Sequence, residues 1–136
     1  MPERSFKLEI VTPERMALKR DAVSLVVPGI EGSLGILADH APLLVELTIG
    51  EVTVRGTEGK TTRLAIGGGF MEVKDNVVRI LADTAEIAGE IDIARAEAAK
   101  ARAEARLREK VAEIDHTRAE ASLRRALIRL RVARGE

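Results

Sequence analysis

Glycine and proline are confined almost entirely to the first two thirds of this chain. Ten of the eleven glycines and all four prolines lie before residue 90, where they break long helices and supply the tight turns of a β structure. Residues 91–136 contain one glycine and no proline, and they are rich in alanine and arginine. The chain therefore divides into two parts, and we predict a β domain over residues 1–87 and a helical hairpin over residues 88–136.

The front part contains short segments of strand type. Their apolar and polar residues alternate or they are rich in β-branched residues, and they cover residues 6–10, 23–27, 51–55, 61–66, 70–73 and 77–81. Turn-forming residues at 56–59 and 75–76 predict hairpins, so neighbouring strands should be antiparallel. The prediction for the whole chain is an α+β protein: an antiparallel β-sandwich or flattened barrel of about eight to ten strands, followed by two helices.

Two glycine clusters in this part invite comparison with phosphate-binding loops. Gly67-Gly68-Gly69 is followed by another strand-like segment and by no helix N-terminus that would hold a phosphate. We therefore expect a turn or bulge at this cluster. The cluster of Gly29, Gly32 and Gly35 also precedes no helix, which favours a loop with positive φ over a dinucleotide site.

The tail has the alanine spacing of a helical hairpin. The first helix is predicted within residues 91–114, with a stripe formed by Ala94, Ala98, Ala101 and Ala105. The second helix has a stripe formed by Ala119, Leu123, Ala126, Leu130 and Ala133. Thr117 and Glu120 have the spacing of a capping box, and Asp115 is an alternative N-cap for this helix. Burial of an alanine methyl stabilises a fold by only about 0.8 kcal/mol. A hairpin of this kind is therefore marginally stable, and a ligand can shift its position.

Composition excludes several classes of function. The chain has no cysteine and only two aromatic residues, Phe6 and Phe70, so a thiolate site is excluded and stacking on nucleic-acid bases is not favoured. His40 and His116 lie far apart in sequence and have no ligand at metal-site spacing, so no metal site is expected. No catalytic constellation is present, and no apolar run is long enough to span a membrane.

The charge is distributed unevenly although the net charge is zero. Residues 1–90 carry four more acidic than basic side chains, and residues 91–136 carry four more basic than acidic ones. Five charged positions on the predicted helices recur one or two turns apart: Asp92, Arg95, Arg102, Arg125 and Arg129. In an antiparallel hairpin the four arginines would converge, an arrangement suited to phosphate oxygens. The alternatives are that the arginines are solvated partners of Glu97, Glu104 and Glu120, and that Asp92 is the N-cap of the first helix.

Four segments, in this order, resemble the epsilon subunit of bacterial F-type ATP synthase: VVPGIEGSLGILADHAPLL, IGGGFMEV, VVRILADTAEI and IDIARAEAAKARAEARL. The resemblance covers nearly the whole chain. It implies a β-sandwich in the rotating central stalk, in contact with the gamma subunit and the ring of membrane c subunits. It also implies that Glu31, Gly32, Ser33 and His40 belong to this interface.

The resemblance further implies a mobile C-terminal domain that inhibits ATP hydrolysis. Its helices would alternate between a folded hairpin on the sandwich and an extended form in the alpha/beta head, where basic residues meet an acidic segment of the beta subunit. The protein would be a non-catalytic regulatory subunit with no catalytic cofactor. It would lie at the cytoplasmic face of the bacterial membrane, associated with the membrane only through the complex.

Some bacterial members of this family bind ATP in the folded hairpin through the motif Ile/Leu-Asp-x-x-Arg-Ala. This motif is complete here at residues 91–96. The family's ligand residues correspond in this chain to Glu86, Ile91, Asp92, Arg95, Ala96, Arg102, Arg125 and Arg129. Glu90 is an alternative for the role of Glu86. Two hypotheses follow: a regulatory subunit that binds ATP without hydrolysing it, and a structural stalk and inhibitor subunit in which the arginines serve only an acidic protein surface.

Overall fold

The computed structural model describes residues 3–109 and 112–136. Seven strands come first: β1 (Phe6–Val11), β2 (Met16–Gly29), β3 (Gly32–Leu37), β4 (Leu43–Gly56), β5 (Thr61–Lys74), β6 (Val77–Ala82) and β7 (Ala85–Ile87). A short 3-10 helix (Ala88–Glu90) leads into α1 (Ile93–Arg108) and α2 (Glu113–Arg134). The predicted α+β order, strands followed by two helices, is confirmed.

The strands close on themselves. The order is β1-β6-β5-β4-β2-β3, and an additional pairing of β1 with β2 joins the two sides. Four pairs of consecutive strands are antiparallel: β1–β2, β2–β3, β4–β5 and β5–β6. The turn signals at 56–59 and 75–76 predict the last two. The β1–β6 pair is parallel, because these two strands meet only through the closure and no hairpin joins them. The structure is therefore a closed β-sandwich with one parallel pair.

The described residues form seven strands, fewer than the eight to ten predicted, and two of the predicted segments belong to a single strand. Residues 61–66 and 70–73 both belong to β5, whose pairing with β4 runs in unbroken register from Gly67 to Gly69. The expected turn or bulge at the three glycines is therefore wrong. Gly68 and Gly69 have positive φ, and a Cβ on Gly69 would lie 2.1 Å from the carbonyl oxygen of Leu81. Glycine is required there because two backbones approach closely.

The core of the sandwich follows from alternation along the strands. Side chains that point inward are almost completely buried: Leu8, Ile10, Leu25, Val27, Ile36, Val52, Val54, Leu64, Ile66, Met71, Val73 and Ile80. Their neighbours on the strands mostly point outward, as the period of two requires. The sandwich thus has a core of large branched side chains that does not depend on the helices.

The first helix begins directly after Asp92, as predicted by the alternative in which Asp92 is its N-cap. The Asp92 carboxylate accepts the backbone N–H of Arg95 at 3.0 Å, so Asp92 is an N-cap. The predicted alanine stripe is wrong, because Ala94, Ala98 and Ala101 are exposed, whereas the buried residues are Ala96 and Ala103. Alanine occurs on several faces of α1, so spacing alone does not identify the packed one. The helix itself, Ile93–Arg108, lies within the predicted range, of which residues 110–111 lie outside the described residues.

The second helix begins earlier than predicted. It starts at Glu113, and Thr117 lies inside it with its hydroxyl donating to the carbonyl oxygen of Glu113 at 3.1 Å. Neither Thr117 nor Asp115 is therefore its N-cap, because a threonine hydroxyl can also be satisfied within a helix. Its predicted apolar stripe is confirmed: Ala119, Ala126 and Leu130 are buried, and Leu123 and Ala133 are partly buried.

Candidate functional site

A cleft of about 580 Å³ lies where the sandwich meets the two helices. Its walls come from the β1–β2 turn, the segment between β6 and the 3-10 helix, and both long helices. The lining residues are Thr12, Glu14, Arg15, Asp83, Thr84, Ala85, Glu86, Glu90, Asp92, Arg95, Ala96, Ala99, Arg102 and Arg129. Six of the eight predicted ligand residues belong to this set, so the fold brings them together from three separate segments.

An ion pair crosses the cleft between Glu86 and Arg129. The Arg129 Nε donates to a Glu86 carboxylate oxygen at 2.6 Å, and both side chains are about one third exposed or less. Glu86 lies on β7 and Arg129 on α2, so the pair joins the sandwich to the second helix. Glu90, the alternative to Glu86, also lines the cleft, where it pairs with Arg15 at 3.5 Å.

A second cleft of about 350 Å³ continues the first between α1 and α2. Ala99, Arg102 and Arg129 line both clefts. The charged residues of the second cleft are Arg102, Arg106, Arg118, Arg125, Arg129 and Asp115, five arginines and one acid. Arg125, the seventh predicted ligand residue, lies here and donates to the Ser122 hydroxyl at 3.1 Å. The predicted convergence of arginines from the two helices is therefore present.

Ile91, the eighth predicted ligand residue, is not among those that line either cleft. Its side chain is buried with Ala65 of β5 and Val132 of α2. In this position it anchors the start of the helical part to the sandwich, directly beside the cap residue Asp92.

Comparison with known proteins gives the same division of the chain. Residues 5–88 match the family described as the beta-sandwich domain of the ATP synthase delta/epsilon chain, and residues 90–134 match its long alpha-helix domain. The ATP synthase epsilon chain of Pelotomaculum thermopropionicum is 53% identical over 110 residues, 81% of this chain and 81% of that protein. The epsilon chain of Syntrophomonas wolfei is 53% identical over 107 residues, 79% of this chain and 78% of that protein.

This chain belongs to the ATP synthase delta/epsilon family. The resemblance to the epsilon subunit is thereby confirmed, and with it the prediction of a non-catalytic subunit. A solved chain from the Euglena gracilis mitochondrial ATP synthase, determined with OSCP, F1 and the c-ring, is 26% identical with a TM-score of 0.77, covering 88% of this chain and 76% of that one. A chain from the Tetrahymena thermophila central stalk and c-ring, 17% identical with a TM-score of 0.63 over 98% of this chain and 99% of that one, shares the fold.

Four residues are predicted for the interface of this epsilon-type chain with the c-ring and the gamma subunit. Glu31, Gly32 and Ser33 lie at the tip of the β2–β3 hairpin, where Gly32 has a φ of 135°. The predicted positive φ is thus found at Gly32, but Gly29 and Gly35 lie in strands without it. His40 lies in the segment between β3 and β4. Its Nδ1 lies 2.7 Å from the carbonyl oxygen of Ala41.

Sequence reasoning found Glu86 on the sandwich side of the cleft but missed Arg15 and Asp83 there. Arg15 and Asp83 belong to turns that carry no ligand motif, and they are about 70 positions apart in sequence. They become neighbours only because β1 pairs with β2 and also with β6. No local signal in the sequence identifies them.

The described residues contain no group of three or more side chains that would hold a metal ion. His116 lies on α2 and pairs with Glu120 at 3.0 Å, one helical turn away. In the described part of the chain, neither helix has an apolar stretch long enough to cross a bilayer.

A second polar contact holds the end of α2 on the sheet. Arg63 of β5 donates to both carboxylate oxygens of Glu51 on β4, at 2.5 and 3.1 Å, and also to the carbonyl oxygen of Glu136 at 2.7 Å. Burial alone would raise the pKa of Glu51, but the hydrogen bonds from Arg63 and Thr53 and the positive charges of Arg63 and Arg131 lower it below the ordinary value. The hydrogen bond to Glu51 raises the pKa of Arg63. The pair is therefore charged across the physiological range.

Proposed function

We propose that this chain is a regulatory epsilon subunit whose folded hairpin binds ATP without hydrolysing it. The observation that carries the proposal is the cleft, because six of the eight predicted ligand residues line it and Arg125 lines its continuation. These residues come from β7, from α1 with its cap residue Asp92, and from α2, so they assemble only in the folded hairpin.

The distribution of charge in the cleft favours one orientation of a bound nucleotide. The five arginines between α1 and α2 suit a triphosphate, because each guanidinium offers planar paired donors to phosphate oxygens. The end nearer the sandwich carries the carboxylates of Asp83, Glu86 and Glu90. Carboxylates accept hydrogen bonds from ribose hydroxyls and from the exocyclic amine of adenine. The phosphates would therefore lie between the helices and the nucleoside near the sandwich.

Weak packing makes the hairpin responsive to such a ligand. The buried residues of α1 are two alanines, and the apolar cluster under α2 contains only Ala65, Ile91 and Val132 as buried members. A ligand at a hundred times its dissociation constant adds about 2.7 kcal/mol to the state that binds it. ATP would hold the hairpin folded, and low ATP would release the helices to inhibit hydrolysis in the alpha/beta head.

Calorimetric titration of ATP into the purified chain tests the binding. We expect saturable heat for the wild type and a loss of affinity of about tenfold to a hundredfold for Arg125→Ala, because a hydrogen bond to a charged group contributes roughly 1.5 to 3 kcal/mol. Asp92→Asn removes the charge but keeps an N-cap residue, so it separates a ligand role from the capping role. Arg108→Ala, which removes an α1 arginine that lines neither cleft, is the matched control. Absence of heat at millimolar ATP in the wild type would remove ATP binding from the proposal.

One observation favours the alternative of a structural inhibitor subunit without a nucleotide site. Arg129 is already paired with Glu86 at 2.6 Å, so this arginine is satisfied without a ligand. In that case the arginines serve the acidic segment of the beta subunit alone. Neutralising Arg124, Arg125 and Arg129 in the assembled enzyme would abolish inhibition of hydrolysis, and ATP would leave the hydrogen exchange of the helices unchanged.

The remaining partners follow from family membership. The sandwich would bind the gamma subunit and the c-ring, with residues 31–33 at the tip of the β2–β3 hairpin as the c-ring contact. The complex would place the chain at the cytoplasmic face of the bacterial membrane. Crosslinking from a cysteine introduced at Ser33, with one at Thr57 on a different hairpin as control, tests this contact. Equal crosslinking from both positions to the c subunit would contradict it.

A further inference from the structure

The turn between β1 and β2 is built to present Arg15 to the cleft. The Thr12 hydroxyl accepts the backbone N–H groups of Glu14 at 3.3 Å and Arg15 at 3.2 Å. Both the hydroxyl and the backbone N–H of Thr12 donate to the carbonyl oxygen of Arg15, at 3.3 and 2.9 Å. Four hydrogen bonds therefore fix the backbone from which the Arg15 side chain extends.

The Arg15 guanidinium joins this turn to the segment that carries the predicted ligand residues. Its Nη2 donates to the carbonyl oxygen of Ala85 at 2.9 Å, and its Nη1 lies 3.5 Å from a carboxylate oxygen of Glu90. The other carboxylate oxygen of Glu90 accepts the backbone N–H of Ile87 at 3.4 Å. Arg15 and the Glu90 side chain thus contact the segment of residues 85–90 at both of its ends, on the side of the cleft.

These contacts add to the support that the segment receives from β5 and from the Glu86–Arg129 ion pair. In the described part of the chain, β7 is three residues long and pairs only with β5. Glu86 lies in this strand beside Ala85, and the 3-10 helix that follows leads directly to Asp92. Arg15 therefore contributes a contact from the β1–β2 turn to the backbone that carries Glu86 and, further along, Asp92. It also places a positive charge among the carboxylates at the sandwich end of the cleft.

We infer that Arg15 is a positioning residue for the nucleotide: its forked contacts to the Ala85 carbonyl and the Glu90 carboxylate hold Glu86 and Asp92 in the binding arrangement. The inference rests on the proposed function. It means that the site belongs to the sandwich as well as to the hairpin, so a bound nucleotide holds the two parts of the chain together.

The test compares ATP affinity in Arg15→Ala, Arg15→Lys and Arg55→Ala by calorimetry. Arg55 is the matched control, because it is an arginine of similar exposure that pairs with Glu3 on the sandwich and lines neither cleft. We expect Arg15→Ala to weaken ATP binding by about three- to tenfold, the range for charged contacts at a half-exposed site. Arg15→Lys should also be weakened severalfold, since a single ammonium lacks the fork that spans two acceptors. Arg55→Ala should bind like the wild type.

Two further measurements separate positioning from general stability. The melting temperature of ligand-free Arg15→Ala should stay within about 3 °C of the wild type, because the contacts are partly exposed. Hydrogen exchange of the amides of residues 87–91 should speed up in the same variant, while that of the sandwich core is unchanged.

The outcomes are distinct. Wild-type affinity in Arg15→Ala overturns the inference and leaves the proposed function intact. Wild-type affinity in Arg15→Lys also overturns it, because charge alone would then account for the effect. If the wild type binds no ATP, both the proposed function and the inference fail.

Discussion

The sandwich and the helical hairpin differ in what they bury. The largest fully buried side chains of the sandwich are leucine, isoleucine, valine and methionine, whereas the two helices bury four alanines, Leu130 and Val132. A buried leucine contributes roughly 1.5 to 3 kcal/mol and an alanine methyl about 0.8 kcal/mol. The same chain therefore contains a part with a core of large apolar side chains and a part whose smaller buried side chains hold it less firmly.

Removing a large side chain from the sandwich should have the largest effect. Leu64 is fully buried between the sheet layers, so Leu64→Ala should reduce the free energy of unfolding by about 2 to 5 kcal/mol and destabilise the whole chain. Urea denaturation followed by circular dichroism measures this. Leu81→Ala, at an exposed position of the same sheet, is the control. A loss below about 1 kcal/mol for Leu64→Ala would contradict an independent sandwich core.

The corresponding change in the hairpin should be local. Leu130 is the one buried leucine among the described residues of the two helices, and Leu130→Ala should cost the docked hairpin about 2 kcal/mol. Hydrogen exchange should speed up in α1 and α2 and stay slow in β4 and β5. Leu127→Ala on the exposed face of α2 should change neither. Equal acceleration of the strands in Leu130→Ala would show that the two parts unfold together.

The Glu51–Arg63 pair should make the docking of α2 sensitive to acid. Because the pKa of Glu51 is lowered in the folded protein, its stabilising effect is present above the ordinary glutamate pKa of about 4.3 and is lost as the pH falls through the lowered pKa. Glu51→Gln should cost about 1 kcal/mol or less at pH 7 and remove this acid-dependent step. Exchange of the α2 amides between pH 3 and 7 measures both. An unchanged acid profile in the variant would contradict the role of the pair.

The smallest effect is expected at Thr117, where its sign is informative. Thr117 lies inside α2, so Thr117→Ala should leave helix stability unchanged or raise it by about 0.5 kcal/mol, because alanine has the higher helix propensity. At an N-cap the same change would cost about 1 kcal/mol. Thermal unfolding of the helices distinguishes the two signs, and a clear loss of stability would place the start of α2 at Thr117.

Elements with a strong local pattern were predictable from the sequence. The alternation of Phe6, Leu8 and Ile10 gave β1, and the stripe of Ala119, Ala126 and Leu130 gave the packed face of α2. The start of α2 was not predictable, because Thr117 fits both a cap and a helix interior. The packed face of α1 was not predictable either, because alanines lie on several of its faces. Only tertiary contacts determine that Ala96 and Ala103 are the buried ones.

The candidate site also contains residues that were predictable from the sequence and residues that were not. Asp92, Arg95 and Ala96 belong to a motif, and the resemblance to a family identified Glu86, Arg102, Arg125 and Arg129. Arg15 has no motif, and it reaches the cleft only because strand pairing brings the β1–β2 turn beside Ala85. Residues that act through long-range strand pairing cannot be read from local spacing.

Hydrogen exchange of the whole chain with and without millimolar ATP tests the central claim most directly, because it reports the two parts separately. The account predicts slower exchange in α1, α2 and residues 85–92 when ATP is present, with the core of β4 and β5 unchanged. Identical exchange of the helices with and without ATP would contradict the claim that a bound nucleotide holds the hairpin on the sandwich.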